Sequence, residues 1–166
     1  MALTSSIQVK VNATHTNVLD LGTATFPLSL LQSLSLADGT GANQADRIFS
    51  DTRTLSASAT EDLDLSGSLT NAYGTVTFAR IKAVLVIADA ANTNNVNVTR
   101  PASNGVPLFL AAGDGVAVRP SGFFLWACSD ATGVAVTAGT GDLLTFTNSA
   151  GSTSVSYSVV IVGASA

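Results

Sequence analysis

The sequence is poor in the side chains that carry out chemistry. Its 166 residues include one histidine (His15), one cysteine (Cys128), one tryptophan and a single glutamate, and only 11% of residues are charged. A lone cysteine cannot close an intrachain disulfide and gives no indication of redox compartment. One Cys and one His cannot fill a tetrahedral zinc site. A Ser-His-Asp triad would have to use His15 as its base. His15 lies in the polar stretch Asn12-Ala-Thr-His-Thr16, and the chain contains no Gly-x-Ser-x-Gly elbow. Basic residues are also scarce. Lys10, Arg47, Arg53, Arg80, Lys82, Arg100 and Arg119 are scattered and the net charge is −4, so the chain lacks the basic patch that nucleic acid requires. The longest apolar run, 83–88, is far shorter than the ~20 residues that cross a bilayer. The first residues, Met1-Ala-Leu-Thr4, lack the charged and apolar regions of a signal peptide.

The acids carry little chemistry either. Five of the eleven stand directly beside Gly, Asn or Ser, where Asp is favoured for forming turns. Asp38, Asn43 and Asp46 lie in one Gly-rich loop whose oxygens suit a hard cation, but their spacing is not that of an EF-hand. The glycine pairs at 39/41, 113/115 and 139/141 open no helix with a following Lys-Ser/Thr, so they belong to hairpin turns. Of the aromatic candidates for a sugar platform, Trp126, Tyr73 and Tyr157, Trp126 lies in an apolar run that assigns it to the core or a subunit contact, and a sugar site on a loop is left open for Tyr73. The expectation is no enzyme, no cofactor, no metal, no nucleic acid and no membrane. Cys128, inside an aromatic and aliphatic run, is expected to be a buried, inert thiol.

What the chain has in abundance is strand pattern. Residues 4–11 alternate with Ile7, Val9 and Val11 on one face, which predicts a half-buried terminal strand. A turn over 12–16, a strand over 17–21, a connector over 23–27 and a strand over 28–36 follow. Strands are predicted at 47–55 and 58–65, with Ile48 beside Phe49 marking a bulge or an edge. Residues 67–74 are the one place where a short helical turn is expected. The strongest strand, 75–88, ends apolar on both faces, as suits a central strand between layers. Further strands are expected from Val96 to Arg100-Pro101 and at 106–110, 116–119, 123–128, 134–137, 143–147 and 155–162, each closed by a turn. This spacing predicts an all-β, jelly-roll-like antiparallel sandwich of two four-stranded sheets. Extra N-terminal strands and at most one or two short helices complete it. The whole of 1–166 is read as one domain, with 1–25 as an arm or subunit-contacting strands.

Charged residues make up about 25% of ordinary soluble domains. The deficit here points to a surface covered by other copies of the chain or by a larger assembly.

The runs Gly41-Ala-Asn-Gln-Ala-Asp-Arg-Ile-Phe-Ser-Asp-Thr-Arg-Thr-Leu55 and Ala59-Thr-Glu-Asp-Leu-Asp-Leu65 resemble small virion proteins of tailed bacteriophages. So do Ala91-Asn-Thr-Asn-Asn-Val96 and the ending Val160-Ile-Val-Gly-Ala-Ser-Ala166. The nearest type is the jelly-roll capsid decoration, or cement, protein. That resemblance implies a structural homotrimer on the outer capsid surface of a virion, bridging capsomers of the major capsid protein, with no catalytic residue. The alternative is a tail or fibre component that binds a host receptor or glycan. The expected interface residues are Ile7, Val9 and Val11, on a terminal strand free to pair with a neighbouring chain.

Overall fold

The computed structural model describes residues 2–67 and 69–166. It contains thirteen strands: β1 (Ser5–Leu19), β2 (Gly22–Leu36), β3 (Arg47–Leu55), β4 (Thr60–Asp64), β5 (Leu69–Asn71), β6 (Gly74–Val76), β7 (Arg80–Ala88), β8 (Val96–Thr99), β9 (Gly115–Val118), β10 (Phe123–Ala127), β11 (Val134–Ala135), β12 (Leu143–Asn148) and β13 (Val155–Ala164). Among the described residues no helix occurs. The body consists of two antiparallel sheets, one ordered β10-β7-β13-β3 with β11 added along β7, the other ordered β4-β12-β8-β9. The steps β3 to β4, β7 to β8, β9 to β10 and β12 to β13 each cross from one sheet to the other.

Alternation builds the core. Val84, Val86 and Ala88 of β7 and Val155, Tyr157, Val159 and Ile161 of β13 point inward. They meet Leu63, Leu144, Phe146, Val96, Val98 and Val118 of the opposite sheet in one buried cluster. Each Val, Leu, Ile or Phe side chain among them contributes about 1.5–3 kcal/mol on removal from water. Tyr157 stacks on Phe146 with ring centroids 4.7 Å apart, and its hydroxyl donates to Glu61 Oε1 at 2.7 Å. Glu61 in turn accepts from Arg53 Nε at 2.8 Å. A tyrosine can therefore lie fully inside because its one polar atom has a charged acceptor at the edge of the core. Burial and the Glu61 carboxylate push the phenol well above its ordinary range.

The departures from the sequence expectation are local. Residues 5–36 form not three short strands and a connector but one long hairpin. Ser5 pairs with Leu36 and the register runs without a break to Leu19 opposite Gly22, leaving Asp20 and Leu21 as the turn. Asn12, Thr14 and Thr16 suggested a turn by composition, yet they continue the alternation on the polar face. Pro27 is accommodated because both strands of a two-stranded ribbon are edges.

Helix was expected around 67–74, but Leu69–Asn71 pairs with Gly74–Val76 as a tight hairpin. Asn71 Oδ1 accepts the Tyr73 N–H at 2.8 Å, and Gly74 has φ of 110°, a local turn solution that requires no helix. Strand 75–88 is interrupted at 77–79, where Phe78 N donates to Leu65 O and Ala79 N to Ala164 O. Residues 106–110 make turns, not a strand. At Ile48 the edge alternative holds, and the bulge lies elsewhere. β3 is an unbroken edge strand, and the register shift falls between Val162 and Gly163 of β13, opposite the extra residue Lys82.

Candidate functional site: an exposed ribbon and the sheet face at its foot

The register of β1 and β2 sorts the hairpin into two unlike faces. One carries the pairs Ile7–Leu34, Val9–Gln32, Val11–Leu30, Ala13–Leu28, His15–Phe26, Asn17–Ala24 and Leu19–Gly22. The other carries Ser6–Ser35, Gln8–Ser33, Lys10–Leu31, Asn12–Ser29, Thr14–Pro27, Thr16–Thr25 and Val18–Thr23. The first face is predominantly apolar and the second predominantly polar. This is the alternation of a sheet with one face packed on a core. Every residue from 8 to 33 is nevertheless exposed, with Val11 at 46%, Leu30 at 60% and Phe26 at 69%. Fifteen residues at about 3.3 Å each make a ribbon roughly 50 Å long. An isolated two-stranded hairpin is marginal in water, so the apolar face is a surface in need of a cover.

Only the foot of the ribbon is seated. Leu3, Ile7 and Leu34 pack with buried Leu36, Ala45, Ala83 and Val162, together with Ile48 and Val160, in a second small cluster. This cluster lies on the outer face of the β10-β7-β13-β3 sheet, so Ala83 is buried on the side away from the main core. Hydrogen bonds fix the foot. Leu3 N donates to Asp38 Oδ1 at 2.9 Å, Ala45 N to Ala37 O at 2.8 Å, and Asp46 N to Gly163 O at 3.1 Å.

Beyond the foot, the sheet's outer face divides along its length and breadth. Paired rows read Ser50–Val160–Leu85–Leu125 and Thr52–Ser158–Ile87–Phe123 across β3, β13, β7 and β10. The β3 side is polar, with Thr52 and Ser158 hydroxyls 3.1 Å apart and those of Thr54 and Ser156 3.0 Å apart. The β7–β10 side is an apolar strip of Leu85, Leu125, Ile87 and Phe123, the last 66% exposed. A groove of about 530 Å³ separates Ile7 and Val9 of the ribbon from Leu85, Phe123, Leu125 and Val160 of the strip.

The structure places Ile7, Val9 and Val11 together on the apolar ribbon face, but in different surroundings. Ile7 is half-buried in the foot, whereas Val9 and Val11 are exposed. The sequence reading missed that Leu34 and Leu30 are the cross-strand partners of Ile7 and Val11, and that Leu28 and Phe26 continue the same face opposite Ala13 and His15, because it divided 12–36 into short pieces. Continuing the alternation through Asn12 and Thr16 to the Asp20-Leu21 turn would have found them. It also missed Ile87 and Phe123, whose exposure depends on which face of β7 and β10 turns outward.

The remaining polar candidates are dispersed. His15 lies midway along the ribbon, opposite Phe26. Asp38 accepts from Leu3 N, while Asp46 accepts from Ser165 N at 2.8 Å and Ser165 Oγ at 2.5 Å and pairs with Arg47 at 3.2 Å. Both carboxylates thus tie chain segments together. Among the described residues no three His, Cys, Asp or Glu side chains gather where they could hold a metal. Tyr73 is exposed, Tyr157 is in the core, and Trp126 packs half-buried against the core. Cys128 is half-buried, and burial and the neighbouring Asp130 carboxylate push its thiol up to about 11, away from the reactive thiolate. Lys82 is fully buried and its ammonium donates to the Asp130 carbonyl.

Compared with protein-family models, with curated proteins and with solved structures, the chain matches none.

Proposed function

We propose that this chain is a structural virion protein that decorates and stabilises the outer surface of a bacteriophage capsid, bridging capsomers of the major capsid protein as a homotrimer. In this reading the body is a jelly roll. The orders β3-β13-β7-β10 and β4-β12-β8-β9, with the chain crossing between sheets at each step named above, follow from two Greek keys wound together. The body serves as a rigid block and does no chemistry. The observation that carries the reading is the ribbon: some 26 residues, 8 to 33, hold a predominantly apolar face exposed to solvent. A protein that acts alone gains nothing from such a face, whereas one that works by docking gains its stability on assembly.

Cryo-electron microscopy of the phage particle whose genome encodes the chain tests this directly. The expected result is density for the sandwich on the outer shell at capsomer junctions, lost when the chain is deleted, together with earlier heat rupture of the shell. Density confined to the tail or fibres would replace this reading with receptor or glycan binding.

A further inference from the structure

We propose that the apolar face of the ribbon docks on the Leu85, Leu125, Ile87, Phe123 strip of another copy of this chain, so that neighbouring copies exchange arms. The inference specifies the self-association in the reading above and rests on it for the biological setting. Three observations identify the occupant. First, the ribbon face already packs on this sheet within one molecule, where Ile7 and Leu34 meet Ala83 and Val162. The next rows of the ribbon, Val9 to Phe26, continue the same chemistry outward, and the next rows of the sheet, Leu85 to Phe123, continue it inward. Second, neither surface carries a fixed charge. Lys10 is on the polar side of the ribbon, and the strip and its flank Val160, Ser158 contain no Asp, Glu, Lys or Arg. Docking therefore desolvates no unpaired ion. Third, the reach suffices. The exposed ribbon is about 40 Å long, far longer than the two rows of the strip, so an arm rooted on one copy can lay part of its apolar face on the strip of a neighbour. The 530 Å³ groove alongside Ile7 and Val9 leaves the strip open for a second ribbon.

The test uses the full-length chain in a Cys128→Ser background. One preparation carries Leu28→Cys on the ribbon and a second, of different tag length, carries Phe123→Cys on the strip. Mixing and oxidation should give a disulfide-linked dimer containing one of each. Size-exclusion chromatography with light scattering should show the unsubstituted chain as an oligomer. Leu28→Asp or Phe123→Asp should each weaken self-association about tenfold or more while the circular dichroism spectrum and the melting temperature of the dilute protein stay unchanged. A monomer at high concentration overturns the inference. So does crosslinking only between two Leu28→Cys chains, which would mean ribbon on ribbon, and so does an oligomer that both Asp variants leave intact. Cryo-electron microscopy of the particle separates the two levels: arm exchange in a protein absent from the shell defeats the decoration reading alone, and shell density with each ribbon lying on a capsomer defeats the exchange alone.

Discussion

The ribbon and the sandwich are made of the same kinds of strand and differ in what covers them. β7 is bounded by β10 and β13, has Val84 and Val86 in the core, and has Ala83 buried beneath the foot of the ribbon. β1 has one neighbour, β2, and beyond Ile7 its apolar residues face solvent. Strand formation in this chain therefore follows from alternation and pairing, and burial is supplied separately. The body receives it from its own second sheet. In the proposed arm exchange, the ribbon obtains it from another molecule.

The comparison predicts a gradient of mutational effects. The largest belongs to the core. Phe146→Ala should destabilise the protein by about 3–5 kcal/mol in urea titrations, since it deletes a fully buried ring and the stacking partner of Tyr157. A loss under 1 kcal/mol would mean that the two sheets are not locked together there.

Next comes the register shift in β13. A Cβ on Gly163 would lie 2.1 Å from Arg80 O, a backbone atom. Gly163→Ala should therefore cost about 1–3 kcal/mol or more through forced backbone movement and loosen the ribbon foot, which Asp46 N ties to Gly163 O. Hydrogen exchange at Ala45 and Asp46 would report the loosening.

The Glu61 bridge ranks third. Glu61→Gln weakens two charge-assisted bonds, to Arg53 and Tyr157, and should cost about 1–3 kcal/mol. A double-mutant cycle with Tyr157→Phe should return a coupling energy clearly different from zero.

A pH effect follows. Cys128 is pushed up to about 11 and Tyr157 is raised as well, so the fold retains protons that the unfolded chain releases. Their stabilisation is full below the ordinary thiol and phenol values and is lost as pH climbs through the folded ones. Unfolding midpoints should fall from about pH 9 upward, and Cys128→Ala should flatten the part of that slope between pH 9 and 11.

The smallest effect is on the ribbon itself. In dilute solution Phe26→Ser should change stability by no more than about 0.5 kcal/mol, although Phe26 is as large a hydrophobe as Phe146. A drop comparable to the core variant would show that the ribbon is already covered within one molecule.

Most of the sandwich was legible because its strands are short and bounded by turns. Residues 47–55, 96–99, 143–147 and 155–162 were placed by alternation between Gly, Asn and Asp, and the structure keeps them with small shifts at their ends. The ribbon was legible in pieces, at 4–11 with Ile7, Val9 and Val11 on one face, at 17–21 and at 28–36, but not as one continuous hairpin. Asn12, Thr14 and Thr16 are turn formers by composition, and only the partner strand, distant in sequence, shows them to be the polar face of a continuing ladder. The strip was hidden for a related reason. Phe123 and Phe124 are adjacent and identical, and only the fold turns Phe124 toward the core while leaving Phe123 outside.

The ribbon has one further mechanical consequence. It is a cantilever two strands thick rooted in a much stiffer block, so bending and twisting concentrate in the slender part. Neighbours meeting at somewhat different tilts could be joined by the same arm without distorting either block, as a single kind of tile must be when it covers both flat and strongly curved ground.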